Sequence, residues 1–154
     1  MGKYFGTDGF RGEANVTLTA KHAFKIGRFL GWYYCSRRND GNRARIVIGK
    51  DTRRSSYMLE YALAAGITSS GADAYLLHVT TTPSVAFVTK HDGFDCGIMI
   101  SASHNPFYDN GIKLLNNQGE KMDDETIARI EEFLDGKSGI PPYAVREDIG
   151  KTID

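Results

Sequence analysis

The segment Ile98-Met99-Ile100-Ser101-Ala102-Ser103-His104-Asn105-Pro106 contains the most informative pattern of the chain. Three consecutive large apolar residues predict a strand that is buried on both faces. Because Asn-Pro favours a turn, the chain is expected to leave the sheet directly after this strand. Ligands of open α/β sheets bind at the carboxyl ends of the strands. The sequence therefore predicts that Ser103 is presented at a ligand-binding edge, with the cation Lys113 close behind it.

Short apolar strands alternate with amphipathic helices along the rest of the chain. Residues 3–12 predict a strand interrupted by a tight glycine-containing loop. Further strands are predicted over 45–49, 74–79, up to Ser101 and over 112–115, and helices over 20–34, from Ser55 or Ser56, from 80–83 and over 122–134. Such alternation implies a mostly parallel sheet with helices on both faces. We therefore predict an α/β fold: one three-layer α/β/α domain around a mostly parallel mixed sheet.

The composition of the last part of the chain suggests a boundary. Glycine, serine and the pair Pro141-Pro142 follow residue 136, and residues 143–154 contain few apolar side chains and no evident partner. We expect residues 1–136 to form the domain and residues 137–154 to be a linker toward a second domain.

The overall composition excludes several classes of protein. The 154 residues include 19 basic and 19 acidic side chains, a balance that argues against binding nucleic acid or a membrane surface. The two cysteines, Cys35 and Cys96, have no metal-ligand spacing and do not form a disulfide framework. No export leader or membrane-spanning segment is evident, so we expect a cytoplasmic protein.

Ser103 has three alternative interpretations. Most serines in loops after strands only form turns or cap helices. A serine hydrolase is not expected, because the G-x-S-x-G motif is absent and Ala102 and His104 flank the serine instead. A phosphate carrier needs less: an exposed hydroxyl, backbone amides and a few cations to hold a dianion.

Several cations are expected at the same edge of the sheet. Arg11, Lys50, Arg53, Arg54 and Lys113 all lie in predicted loops or at predicted strand ends. Surface arginines are usually only solvated, which we expect for Arg54. Arg11 differs, since the glycines around it allow backbone and side chain to approach a ligand closely.

Three motifs resemble those of the α-D-phosphohexomutases. They are Gly6-Thr7-Asp8-Gly9-Phe10-Arg11-Gly12, Gly49-Lys50-Asp51-Thr52-Arg53, and the segment from Ile100 to Lys113, which reads ISASHNPFYDNGIK. Within that superfamily the chain is most similar to the bacterial phosphoglucosamine mutases. The resemblance covers nearly the whole chain in the right order, and members of the family are about three times longer.

The resemblance implies a specific site. Ser103 would carry a phosphate, donate it to a sugar monophosphate and take the other phosphate back from a sugar 1,6-bisphosphate. Lys113 would shuttle the proton of the reacting hydroxyl beside Arg11, and His104 would position the loop and its phosphate. The family pattern assigns substrate and phosphate binding to six residues: Thr7, Asp8, Gly9, Arg11, Asn105 and Lys113.

Other parts of the family's machinery are expected outside this chain. Mg²⁺ would bind the phosphate of Ser103 together with aspartates of a second domain, and the sugar-binding loops would belong to two further domains. The expected substrate is a hexosamine phosphate, converted from glucosamine 6-phosphate to glucosamine 1-phosphate for cell-wall amino sugars. Two alternatives stay open: a phosphomannomutase or phosphoglucomutase domain, and a non-catalytic phosphate-binding module.

Overall fold

The computed structural model describes residues 2–154, and Met1 of the predicted domain lies outside the described residues. Helices and strands alternate along the chain. The strands are β1 (Phe10–Glu13), β2 (Arg45–Lys50), β3 (Asp73–Val79), β4 (Cys96–Ile100), β5 (Asp109–Leu115) and β6 (Thr152–Ile153). The helices are α1 (Ala20–Ser36), α2 (Arg54–Ser69), α3 (Thr82–His91) and α4 (Asp124–Leu134), with a single 3-10 turn at Arg146–Asp148.

All six strands form one mixed sheet in the order β1-β5-β4-β2-β3-β6. Strands β4, β2, β3 and β6 run parallel, whereas β5 is antiparallel to β4 and β1 is antiparallel to β5. The antiparallel corner of the sheet, formed by β1, β5 and β4, places β1 beside β5, the strand that returns from the loop containing Ser103 (the serine loop). The predicted α/β class and three-layer architecture are confirmed.

Alternate residues of the central strands separate the two helical layers. One face of the sheet contributes the isoleucines at 46, 48, 98, 100 and 112, which pack in a single core with α1, α2 and α4. The other face contributes Met99 and Leu115, which pack against Val85 of α3. The central strand β4 is therefore buried on both sides, as its unbroken apolar run predicted.

The predicted start of α2 is wrong by one or two residues, for a reason that concerns the site. The helix begins at Arg54, after Arg53, and no side chain caps it. Ser56 is instead fully buried, where its hydroxyl lies 2.6 Å from Asp51 and 2.9 Å from Asn110. By contrast, Thr19 and Asp123 do cap α1 and α4 with their side chains.

The expectation that residues 143–154 lack a partner within the chain is wrong. The guanidinium of Arg28 is 2% exposed, donates hydrogen bonds to the carbonyls of Pro141 and Pro142, and lies 3.8 Å from the ring centroid of Tyr143. Strand β6 then pairs with β3 at the edge of the sheet. The segment is held by two carbonyls that bind Arg28 and by a two-residue strand, and neither kind of contact requires a pattern of apolar side chains. Composition alone therefore suggests a free linker.

No helix among residues 2–154 is long and apolar enough to cross a membrane.

Candidate active site

Ser103 lies in the exposed loop that follows β4, as predicted. Its backbone is in the left-handed region, with φ at 52°, a conformation that costs a non-glycine residue roughly 1–2 kcal/mol. Its amide donates to the Ser101 hydroxyl at 3.1 Å, and the amide of Asn105 closes the turn onto the Ala102 carbonyl at 3.0 Å. The loop thus holds Ser103 in a strained conformation with its side chain accessible.

Arg11 is brought to this loop by the antiparallel corner of the sheet. It pairs with Gly111 in the register of β1 and β5, and its side chain passes so close to Gly111 that a Cβ there would lie 3.0 Å from Arg11 Cγ. Its Nη2 reaches the Ser103 hydroxyl at 3.4 Å, a long contact. Its Nε is buried and has no hydrogen-bond partner among the described residues. One donor of this guanidinium is therefore uncommitted beside Ser103.

Arg53 holds the loop from the other side. Its Nη2 donates to the carbonyls of Ser103 at 3.1 Å and Asn105 at 2.8 Å, while Nη1 donates to Asp51. Its Nε, like that of Arg11, is buried without a partner in the described chain. Two guanidiniums therefore flank the serine loop, each with one unpaired donor.

Lys113 lies on the strand that returns from the serine loop. It pairs with Met99 in the register of β4 and β5, so both side chains leave the same face of the sheet. Arg11 sits over Gly111, two residues earlier on that face. The Lys113 side chain is half-buried and makes no hydrogen bond or ion pair with residues 2–154.

The Thr7-Asp8-Gly9 segment forms a tight turn against β5. Gly6 and Gly9 exchange backbone hydrogen bonds of 3.0 and 3.2 Å, which leaves Thr7 and Asp8 exposed at the tip. Gly9 has a φ of 91°, and a Cβ there would lie 2.4 Å from the Ile112 carbonyl and 3.1 Å from Lys113 Cα. Only glycine allows the turn to lie this close to the strand that carries the lysine.

A cavity of about 360 Å³ lies between this N-terminal segment and α4. Thr7, Gly9 and Lys113 contribute to its lining, whereas Ser103 and Arg11 do not. His104 is exposed and makes no hydrogen bond with the described residues, so its predicted role in holding the loop has no contact to support it. Asn105 contributes through its backbone, and its side-chain amide donates to Asp109 at 3.3 Å.

Lys50 does not join the cations at the edge, contrary to expectation. It is the last residue of β2, is 2% exposed, and its ammonium contacts both carboxylate oxygens of Glu60 at 3.0 and 3.1 Å. Sequence placed Lys50 correctly at a strand end but could not show that α2 brings a buried acid over it. Arg54 is exposed at the start of α2, as expected for a solvated arginine.

Sequence reasoning missed the polar cluster that supports the loop. Asp51 accepts hydrogen bonds from the Ser56 hydroxyl at 2.6 Å and the Arg53 amide at 3.0 Å. Asn110 donates to Ser55 and Ser56 at 2.8 and 2.9 Å and accepts from the Gly111 amide. The available signal was Asp51 itself, because an aspartate that binds the amide two residues later is a common turn former.

The described residues alone do not form a magnesium site. Within residues 2–154 there is no group of three or more histidine, cysteine, aspartate or glutamate side chains placed to hold a metal ion. A phosphate on Ser103 would supply oxygen ligands of the kind that Mg²⁺ prefers.

The arrangement suits a dianionic group on the serine. The hydroxyl is exposed, Arg11 reaches it through Nη2, Arg53 holds the loop carbonyls, and Lys113 leaves the neighbouring strand on the same face as Arg11. Guanidinium groups bind phosphate through paired, charge-assisted hydrogen bonds. No base within hydrogen-bond distance of the Ser103 hydroxyl is found among the described residues, which argues against an ordinary hydrolase triad.

Comparison with known proteins gives a consistent assignment. The sequence profile of "Phosphoglucomutase/phosphomannomutase, alpha/beta/alpha domain I" matches residues 2–139. The phosphoglucosamine mutases of Lachnospira eligens and Brevibacillus brevis are 73% and 49% identical over all 154 residues. The chain spans 34% of the length of each of these relatives.

Solved structures with the same fold come from the same group of enzymes. A phosphoglucomutase/phosphomannomutase family protein from Burkholderia thailandensis superposes with a TM-score of 0.76 at 25% identity, covering 97% of this chain and 32% of its own. A putative phosphomannomutase from Thermus thermophilus gives 0.75 at 27% identity, with the same coverage. A profile match over 138 residues and near-complete alignment with named relatives identify this chain as a member of the phosphoglucomutase/phosphomannomutase family, of which it forms the α/β/α domain I.

Proposed function

We propose that this chain is the phosphoserine-bearing N-terminal domain of a phosphosugar mutase that interconverts glucosamine 6-phosphate and glucosamine 1-phosphate. The observation that carries the proposal is the Arg11 guanidinium 3.4 Å from the hydroxyl of Ser103 in an exposed loop. The substrate class is suggested by relatives at 73% and 64% identity, both of which are phosphoglucosamine mutases. Residues 1–136 would form the domain and residues 137–154 its connection to a second one.

In the proposed reaction, Ser103 is first the phosphoryl donor and then the acceptor. The bond between phosphorus and Ser103 Oγ breaks while the free hydroxyl of the sugar monophosphate bonds to phosphorus. Lys113 takes the proton of that hydroxyl and passes it to the released Ser103 Oγ. The resulting sugar 1,6-bisphosphate turns over, its other phosphate returns to Ser103, and the proton of the Ser103 hydroxyl passes through Lys113 to the sugar oxygen that is released. Phosphoryl transfer of this kind depends mainly on positioning and charge stabilisation.

The remaining site residues bind rather than react. The Arg11 guanidinium would donate to phosphoryl oxygens through Nη2, which lies 3.4 Å from the Ser103 hydroxyl, and the exposed Thr7-Asp8-Gly9 turn would contact the sugar phosphate. His104 and Asn105 would line the phosphate's other side. Mg²⁺, when bound, would neutralise phosphate charge; on this chain it would touch only the phosphate of Ser103, its carboxylate ligands coming from another domain.

The proposal includes three finer statements. The enzyme would act in the cytoplasm and supply amino sugars for the cell wall. The remaining three domains would be this chain's partners, with no nucleic acid or membrane involved. Because the metal carboxylates and sugar loops are expected outside it, the chain alone would fold without interconverting hexosamine phosphates; turnover by the chain alone would contradict this.

The test uses a chimeric mutase, in which this chain replaces the matching segment of the Lachnospira eligens phosphoglucosamine mutase. We expect it to convert glucosamine 6-phosphate after priming with glucosamine 1,6-bisphosphate and Mg²⁺, and peptide mass spectrometry to find phosphate on Ser103. Ser103→Ala should abolish both, whereas Ser101→Ala should leave a phosphorylated peptide. Turnover that survives Ser103→Ala, or phosphate on another residue, would overturn the proposal.

A further inference from the structure

The hydrogen-bond cluster behind the serine loop centres on Asp51. Its carboxylate accepts from the Ser56 hydroxyl at 2.6 Å, from the Arg53 amide at 3.0 Å, and from the Arg53 guanidinium. The nearby hydroxyl of Ser101 also lowers the pKa of this carboxylate. Burial raises the pKa of Asp51, but these hydrogen bonds outweigh burial and hold the pKa below its usual value. The carboxylate is therefore kept in the charged form that orients Arg53.

Arg53 transmits this anchoring to the loop. With Nη1 fixed on Asp51, Nη2 spans the carbonyls of Ser103 at 3.1 Å and Asn105 at 2.8 Å. These contacts bind the backbone carbonyls of the residues on either side of His104. Ser103, in the same segment, has a φ of 52°. A strained conformation persists only where its surroundings hold it in place.

The same cluster joins the loop to the strand that carries Lys113. Ser56 is fully buried, and its hydroxyl donates to Asp51 while accepting from Asn110 at 2.9 Å. Asn110 in turn accepts from the Gly111 amide at 2.8 Å. Serine loop and β5 are thus fixed to one common point, the turn after β2.

We propose that Asp51 is a positioning residue that acts through Arg53: it holds the carbonyls of Ser103 and Asn105, and so keeps the Ser103 hydroxyl in front of Arg11. This inference rests on the proposed function, since it concerns the geometry of phosphoryl transfer. Neither Asp51 nor Arg53 needs to contact the reacting atoms for it to operate. A displacement of about 1 Å at a reacting group can lower a rate by about 10²-fold.

The experiment compares two pairs of matched variants in the chimeric mutase. Arg53→Met is paired with Arg54→Met, an exposed neighbouring arginine outside the cluster. Asp51→Asn is paired with Asp95→Asn, which also removes a carboxylate that binds an arginine (Arg38, 2.9 Å) and a backbone amide (Arg45, 2.9 Å), but lies outside the serine loop's contacts. For each variant, kcat and KM for glucosamine 6-phosphate are measured together with the rate of Ser103 phosphorylation.

We expect Arg53→Met and Asp51→Asn to lower kcat and the rate of Ser103 phosphorylation by about 10²-fold with little change in KM, because transfer geometry rather than substrate binding is lost. Both control variants should keep the parent kcat. If Arg53→Met does not fold, Arg53→Lys decides: it keeps a cation near Asp51 but lacks the second nitrogen with which Arg53 binds Asp51 and the two carbonyls at the same time, and should still lower kcat.

Two results would overturn the inference. One is a parent-like kcat in Asp51→Asn and in Arg53→Met or Arg53→Lys. The other is a loss in Asp51→Asn no larger than that in Asp95→Asn, which would indicate a general effect on folding. Failure of the proposed function can be distinguished from failure of this inference, because the unsubstituted chimeric mutase would then place no phosphate on Ser103.

Discussion

Arg11 and Ser103 are separated by 92 positions in sequence, yet the guanidinium of one lies 3.4 Å from the hydroxyl of the other. The antiparallel corner of the sheet creates this contact, since β1 pairs with the strand that returns from the serine loop. Edge strand and reactive loop therefore depend on one another through β5.

Arg11→Met should lower the turnover of the chimeric mutase without unfolding it. Removing one donor aimed at developing negative charge typically costs about 10²- to 10³-fold in kcat. Arg11→Lys should recover only part of the loss, because an ammonium lacks the guanidinium's paired donors. Steady-state kinetics measure the effect, and Arg54→Met is the control. Parent activity in the Arg11→Met enzyme would show that Arg11 takes no part in the reaction.

Gly9→Ala should destabilise the chain more than Gly41→Ala does. Both glycines have positive φ, 91° and 78°, so alanine at either position should cost roughly 1–2 kcal/mol in conformational strain. Only at Gly9 would the new Cβ also meet the Ile112 carbonyl, at 2.4 Å, whereas nothing lies within 4 Å at Gly41. Urea unfolding of the two variants isolates the steric contribution, and equal free energies of unfolding would show that the turn does not press on β5.

Lys50→Met should destabilise the chain by about 3–5 kcal/mol, because it leaves the buried carboxylate of Glu60 without its partner. The double variant Lys50→Met/Glu60→Leu should recover most of that loss, since an apolar pair of similar size needs no charge compensation. A double-mutant cycle by urea unfolding gives the coupling. Additive losses would mean that the two side chains act independently of one another.

Arg28→Met should release the C-terminal segment from α1. The carbonyls of Pro141 and Pro142 would lose their donor, at a cost of about 1–3 kcal/mol, and Tyr143 would lose its cation. Hydrogen exchange should then become faster at residues 143–150 while β4 stays protected. Arg37→Met, at an exposed arginine that follows the same helix, is the control; unchanged exchange in Arg28→Met would contradict the contact's importance.

Most of the fold could be predicted from local patterns. The apolar run at 98–100 acts within a few positions, and the structure confirms the buried strand that it predicted. Thr19 and Asp123 cap α1 and α4 through residues three positions further on, so these helix starts are also encoded locally. The antiparallel pairing of β5 and the docking of residues 141–153 could not be predicted. The docking depends on Arg28 and on a two-residue strand, whose partners are far away in sequence.

The site divides in the same way. Ser103, Arg11 and Lys113 stand at strand ends or beside glycines, where a single sequence does indicate exposure to a ligand. Lys50 has the same pattern but is buried, because only the fold brings Glu60 over it. The left-handed backbone of Ser103 is held by the neighbouring Ser101 hydroxyl and by the distant Arg53, and the sequence gives no sign of the Arg53 contact.

The pairing of β4 with β5 has a consequence for how this gene can change. Met99 faces Lys113 and Ile100 faces Ile112 across the pair, so side-chain direction alternates from one residue to the next. A single-codon insertion between Gly111 and Ile112 would turn the lysine toward the core and the isoleucine toward the face that carries Arg11. An insertion within the exposed loop at 106–108 would leave that alternation intact. Length variation among descendants of this sequence should therefore accumulate at the loop tip and be purged from the two residues before the lysine.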